Sequence, residues 1–415
     1  MSAIELSAIE GHAGFAGVPP SVGGIGAHFG APIKEMTPRA ADIVIIGAGA
    51  IGSSIAYHLA RRGARDVVVL ERDMVGSGST SKAAGGIRVQ FGTRVEIEFS
   101  LRSIEFFKRF EAEMGASCDY RQEGYLILLA DEADLARYRR QVELQTSLGA
   151  DVRIVSPDDA RAIVPELRVD DLLGAAWGPM DGYASPHEVV QAYAARAREL
   201  GVQIVEGVAA EGIELTGDRV TAVRTSAGRI ETPLVVNAAG PQAPLVGRMV
   251  GLDLPVDPRR RHIFVTEEFA GVRHPMPLVI DRKSGFYCRS EQRQILMSAG
   301  DVGAATEFSA AVDWSMLDQA VDKAVRRIPA LESASIRHAW AGLRPLTPDE
   351  HAIIDWAPNV RGLYLAIGFC GHGFQHSPAT GQVVAEILTG VAPSIDIADL
   401  SIQRFAAGSG RASGV

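Results

Sequence analysis

Three glycines at positions 47, 49 and 52 follow the apolar run Ile43-Val44-Ile45-Ile46 and open a stretch, Ser53 to Arg62, with the character of a helix. This G-x-G-x-x-G spacing suits the binding of phosphates. Gly47 permits a tight turn, Gly49 lets the backbone approach a pyrophosphate, and Gly52 lets a helix pack closely on a strand. The N–H groups around Ala50 and Ile51, at the start of the helix, then face the phosphates, where the helix dipole also favours negative charge. A second run, Asp66 to Leu70, leads into Glu71 and Arg72. Glu71 lies about twenty residues beyond Gly52, where a carboxylate can hold a ribose hydroxyl. The stretch reads as a dinucleotide site, the plainer alternative being a βαβ unit that only builds a core.

The residues that follow separate one dinucleotide from another. Gly76 to Arg88 is dominated by small and hydroxylated residues: Ser79, Thr80 and Ser81, then Ala84, Gly85 and Gly86. Such residues let backbone and hydroxyls pass close to a large polar ligand. A surface linker would be less apolar than Ala84 to Arg88. A nicotinamide cofactor needs no such stretch, whereas FAD laid along it would be gripped from pyrophosphate towards its ring. FAD is the expected cofactor.

The elements that position these groups follow from pattern and composition. With 415 residues, 47% of them hydrophobic, the chain can bury a large core and is expected to form two domains. A net charge of −9 leaves no electrostatic footprint for nucleic acid. Three cysteines, Cys118, Cys288 and Cys370, are too few and too scattered for a disulfide framework or a zinc site, which favours a reducing cytoplasm. The most apolar stretch, Ile43 to Ala60, is broken by glycines, serines, Tyr57 and His58, so no membrane span is expected. Residues 1–38 are rich in Gly, Ala and Pro and read as a flexible extension, with a strap onto a neighbouring subunit as the alternative.

Along the chain, Thr93 to Met114 carries apolar residues at helical spacing and Gly124 to Ala130 reads as a strand. Asp131 to Leu148 reads as a charged helix, and Leu172 to Trp177 as a strand. Gln203 to Leu215 and Val220 to Thr225 resemble paired strands. Leu234 to Asn237 is a buried strand running into Ala238-Ala239-Gly240, which would bring Ala239 and Gly240 close to the cofactor. β-rich runs return from Arg261 to Thr266 and from Gly285 to Ala299. The strand Leu363 to Ile367 opens into Gly368-Phe369-Cys370-Gly371-His372-Gly373-Phe374-Gln375 and a helix. A second helix N-terminus there can stabilise negative charge on a reduced flavin. Cys370 is read as a small packing residue ahead of a redox role.

Together these blocks resemble the D-amino-acid-oxidase-like FAD oxidoreductases, which include glycine oxidase, sarcosine oxidase, and the dimethylglycine and proline dehydrogenases. The resemblance runs from Asp42 to Gly390. Thr347-Pro-Asp-Glu-His-Ala-Ile-Ile-Asp355 with Gly371-His-Gly-Phe374 is similar to sarcosine oxidases, Gly342-Leu-Arg-Pro345 with Pro378-Ala-Thr-Gly381 to glycine oxidase, and Gly76 to Gly92 to proline dehydrogenase β-subunits. The family implies an α/β architecture: a discontinuous Rossmann-like FAD-binding domain with a second, α+β substrate domain on a mostly antiparallel sheet. The expected boundaries are 39–120, 171–252 and 335–400 for the former, 121–170 and 253–334 for the latter, and a tail at 401–415. Val208 joins the expected cofactor contacts on this basis, as do Gly371, His372, Gly373, Phe374 and Gln375.

The resemblance also implies a reaction: oxidation of a carbon bearing an amine, with hydride moving to flavin N5 and an imine left for water to hydrolyse. An arginine fork suits the anchoring of an amino-acid carboxylate. Arg344 matches the glycine-oxidase arginine with that part, Tyr287 its hydroxyl partner, and Arg88 the arginine that sarcosine oxidases use, each arginine having a structural ion pair as its alternative. His372 is expected to act beside the ring through backbone and electrostatics. Sarcosine oxidases attach flavin through a Cys five positions before the Thr of Thr-Pro-Asp. Gly342 stands there, so non-covalent FAD is expected. Gln375 replaces a lysine after Gly-His-Gly-Phe, and Gln294 to Ser298 lacks the oxygen-activating lysine. Loss of a cation near reduced flavin lowers oxygen reactivity, which tilts the choice of acceptor from O2 towards a quinone or an electron-carrier protein. Homo- or hetero-oligomers remain open. The expected substrate is an amino acid or N-alkyl amino acid; a hydroxy acid, a carboxylate-free amine, or a non-catalytic FAD-holding subunit or assembly factor are the alternatives.

Overall fold

The computed structural model describes residues 37–300 and 308–406, so the N-terminal extension, apart from its last two residues, lies outside the described residues. A six-stranded sheet holds, in order, Ile353–Trp356, Leu363–Ile367, Val235–Asn237, Ile43–Ile46, Val67–Leu70 and Gln203–Val205. Its inner pairs are parallel, and only Ile353–Trp356 runs antiparallel to its neighbour. Every residue of Ile43–Ile46 is buried. Ile43 and Ile45 pack in one core with the helices Ala50–Arg61 and Gly373–Leu388, while Val44 and Ile46 pack in a second core on the opposite face. Burial on both faces explains why these strands read as unbroken apolar runs.

The two helices cross at close range because Gly381 has no side chain. A Cβ there would overlap Ser54 Oγ and lie 2.7 Å from His58 Cδ2. Pro378, inside the second helix, removes a donor. Ser377 Oγ instead donates to the Phe374 carbonyl at 2.8 Å, and the Ser377 carbonyl accepts from Ser54 Oγ at 2.7 Å. The helix interruption thus becomes a tie to the glycine-led helix.

A second, eight-stranded sheet is mostly antiparallel: Ile336–Leu346, Asp257–Thr266, Gln294–Ser298, Tyr287–Glu291, Leu278–Asp281, Tyr125–Leu129, Gly174–Gly178 and Arg153–Val155. Helix Met316–Arg327 packs on it through Ala320 and Ala324. Arg327, 2% exposed, bridges Asp171 at 2.8 Å and Asp281 at 3.0 Å.

Three local readings differ from the structure. Gly174–Gly178 and Ile336–Leu346, read with the dinucleotide unit, are hydrogen-bonded in the second sheet. Gln203 to Leu215 is not one strand: Gln203–Val205 joins the parallel sheet, and Ala210–Thr216 pairs with Arg219–Thr225. Between them the Glu206 carboxylate accepts from the Val75 N–H at 2.8 Å and pairs with Arg198 at 2.8 Å. Residues 401–406 are packed: Arg404 binds both oxygens of Asp349, and Ser401 donates to Asp355 at 2.5 Å.

Candidate active site

Three turns leave the ends of adjacent parallel strands: after Ile46, after Asn237 and after Ile367. In an open α/β sheet this edge is where ligands bind. Gly47 has φ +106 and lies so close to the middle turn that a Cβ would sit 2.6 Å from the Ala238 carbonyl oxygen. A Cβ on Gly373 would be 3.7 Å from Ile51 Cγ1. The early and late glycine turns therefore share one face of the molecule, as the sequence reading required.

The glycines divide by what they make room for. A Cβ on Gly52 would overlap the Gly47 carbonyl oxygen, and one on Gly86 the Tyr125 hydroxyl, so the fold itself needs these glycines. Gly85 has φ +74 and abuts the Ala184 carbonyl. Gly49 is different. A Cβ there would meet only Thr80 Oγ1, at 3.1 Å, and one on Gly240 would meet nothing within 4 Å. Their bareness leaves a cradle that no protein atom fills. Helix Ala50–Arg61 has no side-chain cap at Gly49, while Thr80 Oγ1 accepts from the Ala50 N–H at 3.0 Å. Glu71, half-buried at the end of its strand, accepts from the Ala48 N–H at 2.9 Å and from the Asp73 N–H at 3.0 Å. Each oxygen keeps a second lone pair for a ribose hydroxyl. These donors and acceptors fit a dinucleotide laid across the turns.

Other residues expected at the cofactor have partners within the protein. Arg72 is exposed and pairs with Asp73 at 3.1 Å. Ser81 Oγ donates to the Ser77 and Gly78 carbonyls, and Ser79 Oγ to the Leu343 carbonyl at 2.6 Å. Val208 is buried, with its N–H on the Glu71 carbonyl at 2.9 Å. Ala84 packs with Tyr287, Trp340 and Ile263 on the second sheet. Phe374 is buried against Phe107.

The late turn meets the arginines. Arg88 Nη2 lies 3.4 Å from His372 Nε2, and its guanidinium sits 3.9 Å from the centre of the Phe91 ring. Nη1 donates to the Gln90 carbonyl. Among the described residues no carboxylate forms an ion pair with Arg88. Gln375 clamps the Arg88 backbone: Oε1 accepts from its N–H at 3.1 Å and Nε2 donates to its carbonyl at 3.3 Å. Arg344 Nε donates to the Cys370 carbonyl, and Gly371 is bare because a Cβ would sit 2.5 Å from that nitrogen. Cys370 is buried with φ +51, accepts from the Thr347 N–H at 3.3 Å, and has its thiol pushed up to about 11 by burial. It is a packed thiol, not a thiolate.

His372 is held well below its ordinary value, first by burial and then by Arg88, Arg344, His376 and Arg261, so its imidazole is neutral. An arginine can only donate, so Nε2 accepts and the proton is on Nδ1. Arg261 is a residue that sequence reasoning missed. In the ladder of Asp257–Thr266 with Ile336–Leu346 it lies opposite Gly342, two places from the Arg259–Arg344 pair, and its guanidinium lies 5.7 Å from the centre of the Tyr287 ring. Strand alternation within Arg259-Arg260-Arg261 was the available signal. Asp181 and Gln90, described below, were also missed. The structure thus brings Arg88, His372, Gln375 and Gly371 with Arg344 to one place, and Tyr287 to the neighbouring sheet face.

A parallel sheet with a glycine cradle at its switch point, closed by an antiparallel sheet carrying arginines, defines a FAD-dependent oxidoreductase. Residues 42–387 match the family model described as FAD dependent oxidoreductase, and the chain belongs to that family. It is 30% identical over 387 residues to mitochondrial sarcosine dehydrogenase of Mus musculus, covering 90% of this chain and 42% of that protein. The chain thus spans less than half the length of this relative. Among solved structures, L-proline dehydrogenase from P. horikoshii is 32% identical with a TM-score of 0.85, covering 90% of this chain and all of that one. Glycine oxidase from Geobacillus kaustophilus is 25% identical with a TM-score of 0.79, covering 88% and 99%. Among the described residues no helix is long and apolar enough to cross a membrane.

Proposed function

We propose that the protein oxidises the C–N bond of a small amino acid or N-alkyl amino acid. One observation carries this reading: Arg88 is held rigidly beside His372 in the late turn, and no carboxylate of the described residues pairs with it. A guanidinium fixed in place without a resident anion suits a ligand carboxylate. Arg344, on the strand Ile336–Leu346, reaches the same turn through the Cys370 carbonyl and joins Arg88 as an anchor, and Tyr287 is the proposed hydroxyl partner. FAD, when bound, supplies the ring that accepts the hydride. The chain's own contribution is orientation: anchoring the carboxylate turns the C–H bond towards the ring. Neutral His372 adds no charge that would repel a substrate ammonium. The named substrates of the similar sarcosine, proline and glycine enzymes support an amino-acid substrate.

The test is anaerobic mixing of the yellow protein with a panel of amino acids, N-methyl amino acids, hydroxy acids and simple amines. Bleaching near 450 nm, on the order typical of oxidised flavins, is expected with the first two groups. Bleaching only by hydroxy acids or carboxylate-free amines would overturn the reading, and none at all would favour a FAD-holding subunit.

Non-covalent FAD belongs to the same proposal. A Cβ at Gly342 would lie 2.7 Å from Lys82 Cβ, which leaves no room there for a linking side chain. Acid precipitation should release all the flavin; yellow pellets would contradict this. A quinone or electron-carrier protein is the proposed acceptor ahead of O2, since Gln294–Ser298 carries no lysine. Residues 39–120, 171–252 and 335–400 remain the proposed cofactor domain, less the two strands that lie in the second sheet. Three buried free thiols support a reducing compartment, with the cytoplasm as the proposed one.

A further inference from the structure

Asp181, in the turn between Gly174–Gly178 and Gly182–Tyr183, is fully buried, and among the described residues no cation pairs with it. Its carboxylate accepts two hydrogen bonds, from the Val89 N–H at 2.7 Å and from Gln90 Nε2 at 2.8 Å. Gln90 Nε2 also donates to the Tyr125 carbonyl at 3.2 Å. Both of its partners are acceptors, which fixes the orientation of the Gln90 amide. The Gln90 backbone carbonyl in turn accepts from Arg88 Nη1. Asp181 is therefore two links from the guanidinium.

A carboxylate buried without a cation is costly to the fold. Both hydrogen bonds that Asp181 makes go to the residues next to Arg88. We propose that Asp181 is a positioning residue for substrate binding: ionised, it brackets Val89 and Gln90 so that Arg88 presents its guanidinium to the substrate carboxylate, and protonated, it releases Gln90 and with it the guanidinium. The proposal rests on the reading of Arg88 as a carboxylate receptor.

Burial pushes Asp181 up to about 7, against the opposing effects of Gln90, Val89 and, last, Arg88. The other titratable groups that face it are the Tyr120 and Tyr125 phenols, which burial keeps neutral. Protonation has two opposed consequences. It frees Gln90, which weakens anion binding, and it removes a negative charge near Arg88, which strengthens it. The Gln90 carbonyl binds Arg88 directly, whereas no contact joins Asp181 to the guanidinium, so the proposal takes release to outweigh the lost charge. If only the ionised form binds, affinity follows the ionised fraction and falls about tenfold from pH 8 to pH 6.

The experiment titrates the FAD-loaded protein with acetate, which stays ionised over that range, and reads Kd from the perturbation of the flavin spectrum and from calorimetry. Wild type should bind about tenfold more weakly at pH 6 than at pH 8. Asp181→Asn should bind more weakly than wild type at pH 8 and lose the slope, and Gln90→Leu should bind weakly throughout. His351 is raised above its ordinary 6.5 by Glu96, and a slope due to it would persist in Asp181→Asn. A wild-type Kd independent of pH, or an Asp181→Asn protein that keeps the slope, overturns the proposal while leaving Arg88 as the receptor. Acetate that binds at no pH overturns both. Should these variants fail to fold, His351→Gln decides: a tenfold slope that survives the loss of this imidazole supports Asp181, and one that disappears overturns the proposal.

Discussion

Arg88→Gln tests the substrate anchor most directly. The change removes the charge and the fork but leaves a side chain of similar reach. The Arg88 backbone stays tied to Gln375 at 3.1 and 3.3 Å, so the local fold should persist. Hydrogen bonds to charged groups are worth about 1.5–3 kcal/mol each. Loss of one such bond raises the apparent Kd by roughly 10- to 150-fold. Because Arg344 remains to orient the carboxylate, and the lost bond is made alike before and during hydride transfer, KM should carry most of the loss and kcat the smaller part. The assay is stopped-flow anaerobic bleaching against substrate concentration, which separates Kd from the limiting rate. An unchanged Kd would refute the argument and return Arg88 to a structural role beside Phe91.

Gly49 and Gly52 should respond in opposite ways to alanine. Gly49→Ala should keep its thermal midpoint, because φ is −74 and only the Thr80 hydroxyl must shift, yet lose FAD on gel filtration; Gly52→Ala, overlapping the Gly47 carbonyl, should not fold. Gly381→Ala should cost about 1–3 kcal/mol in chemical denaturation through overpacking against Ser54 and His58. The buried Glu96 lies 3.2 Å from His351 Nδ1. Burial opposes both charges, but the pairing wins on each side: Glu96 is held below its ordinary 4.5, and His351 is raised above 6.5. The His351 share of stability is full below pH 6.5 and is lost as pH rises through its folded value; the Glu96 share is present above 4.5 and is lost on acidification. Melting temperature should therefore fall as pH rises above 6.5 in wild type more than in Glu96→Gln, and parallel curves would count against the pair.

How much of this was legible depended on whether a residue's role is local. The turn at Gly47 and the acid at Glu71 belong to one βαβ unit, so spacing alone exposed them. The late turn was legible for the same reason, being a strand end and a helix start in one run. Gly174–Gly178 was assigned to the wrong sheet because a short run of Gly, Ala and Trp reveals a strand but not its partner; its pairing with Tyr125–Leu129 is a tertiary choice. Asp181 was invisible. It is a single acid in a turn, and its two partners lie 92 and 91 positions away. Gln375 was read as a residue near the cofactor, whereas its side chain grips a backbone 287 positions distant.

The distribution of charge in the site explains where pH can act. Positive charge is supplied by guanidiniums, which do not deprotonate in proteins. His372, the group that titrates nearest neutrality in free solution, is kept neutral by burial and by Arg88, Arg344 and Arg261, and its Nε2 already accepts from Arg88. It therefore offers no lone pair for the substrate's proton while Arg88 remains in place. Two groups with raised values make no direct contact with the guanidinium: Asp181, which reaches Arg88 only through Gln90, and His351, paired with Glu96 of the helix Arg94–Lys108. Acidification thus leaves the charge that meets the carboxylate unaltered and acts on how firmly that charge is held. A pH profile that appears in Kd and disappears with Asp181→Asn, at an unchanged limiting rate of bleaching, is the signature this arrangement requires.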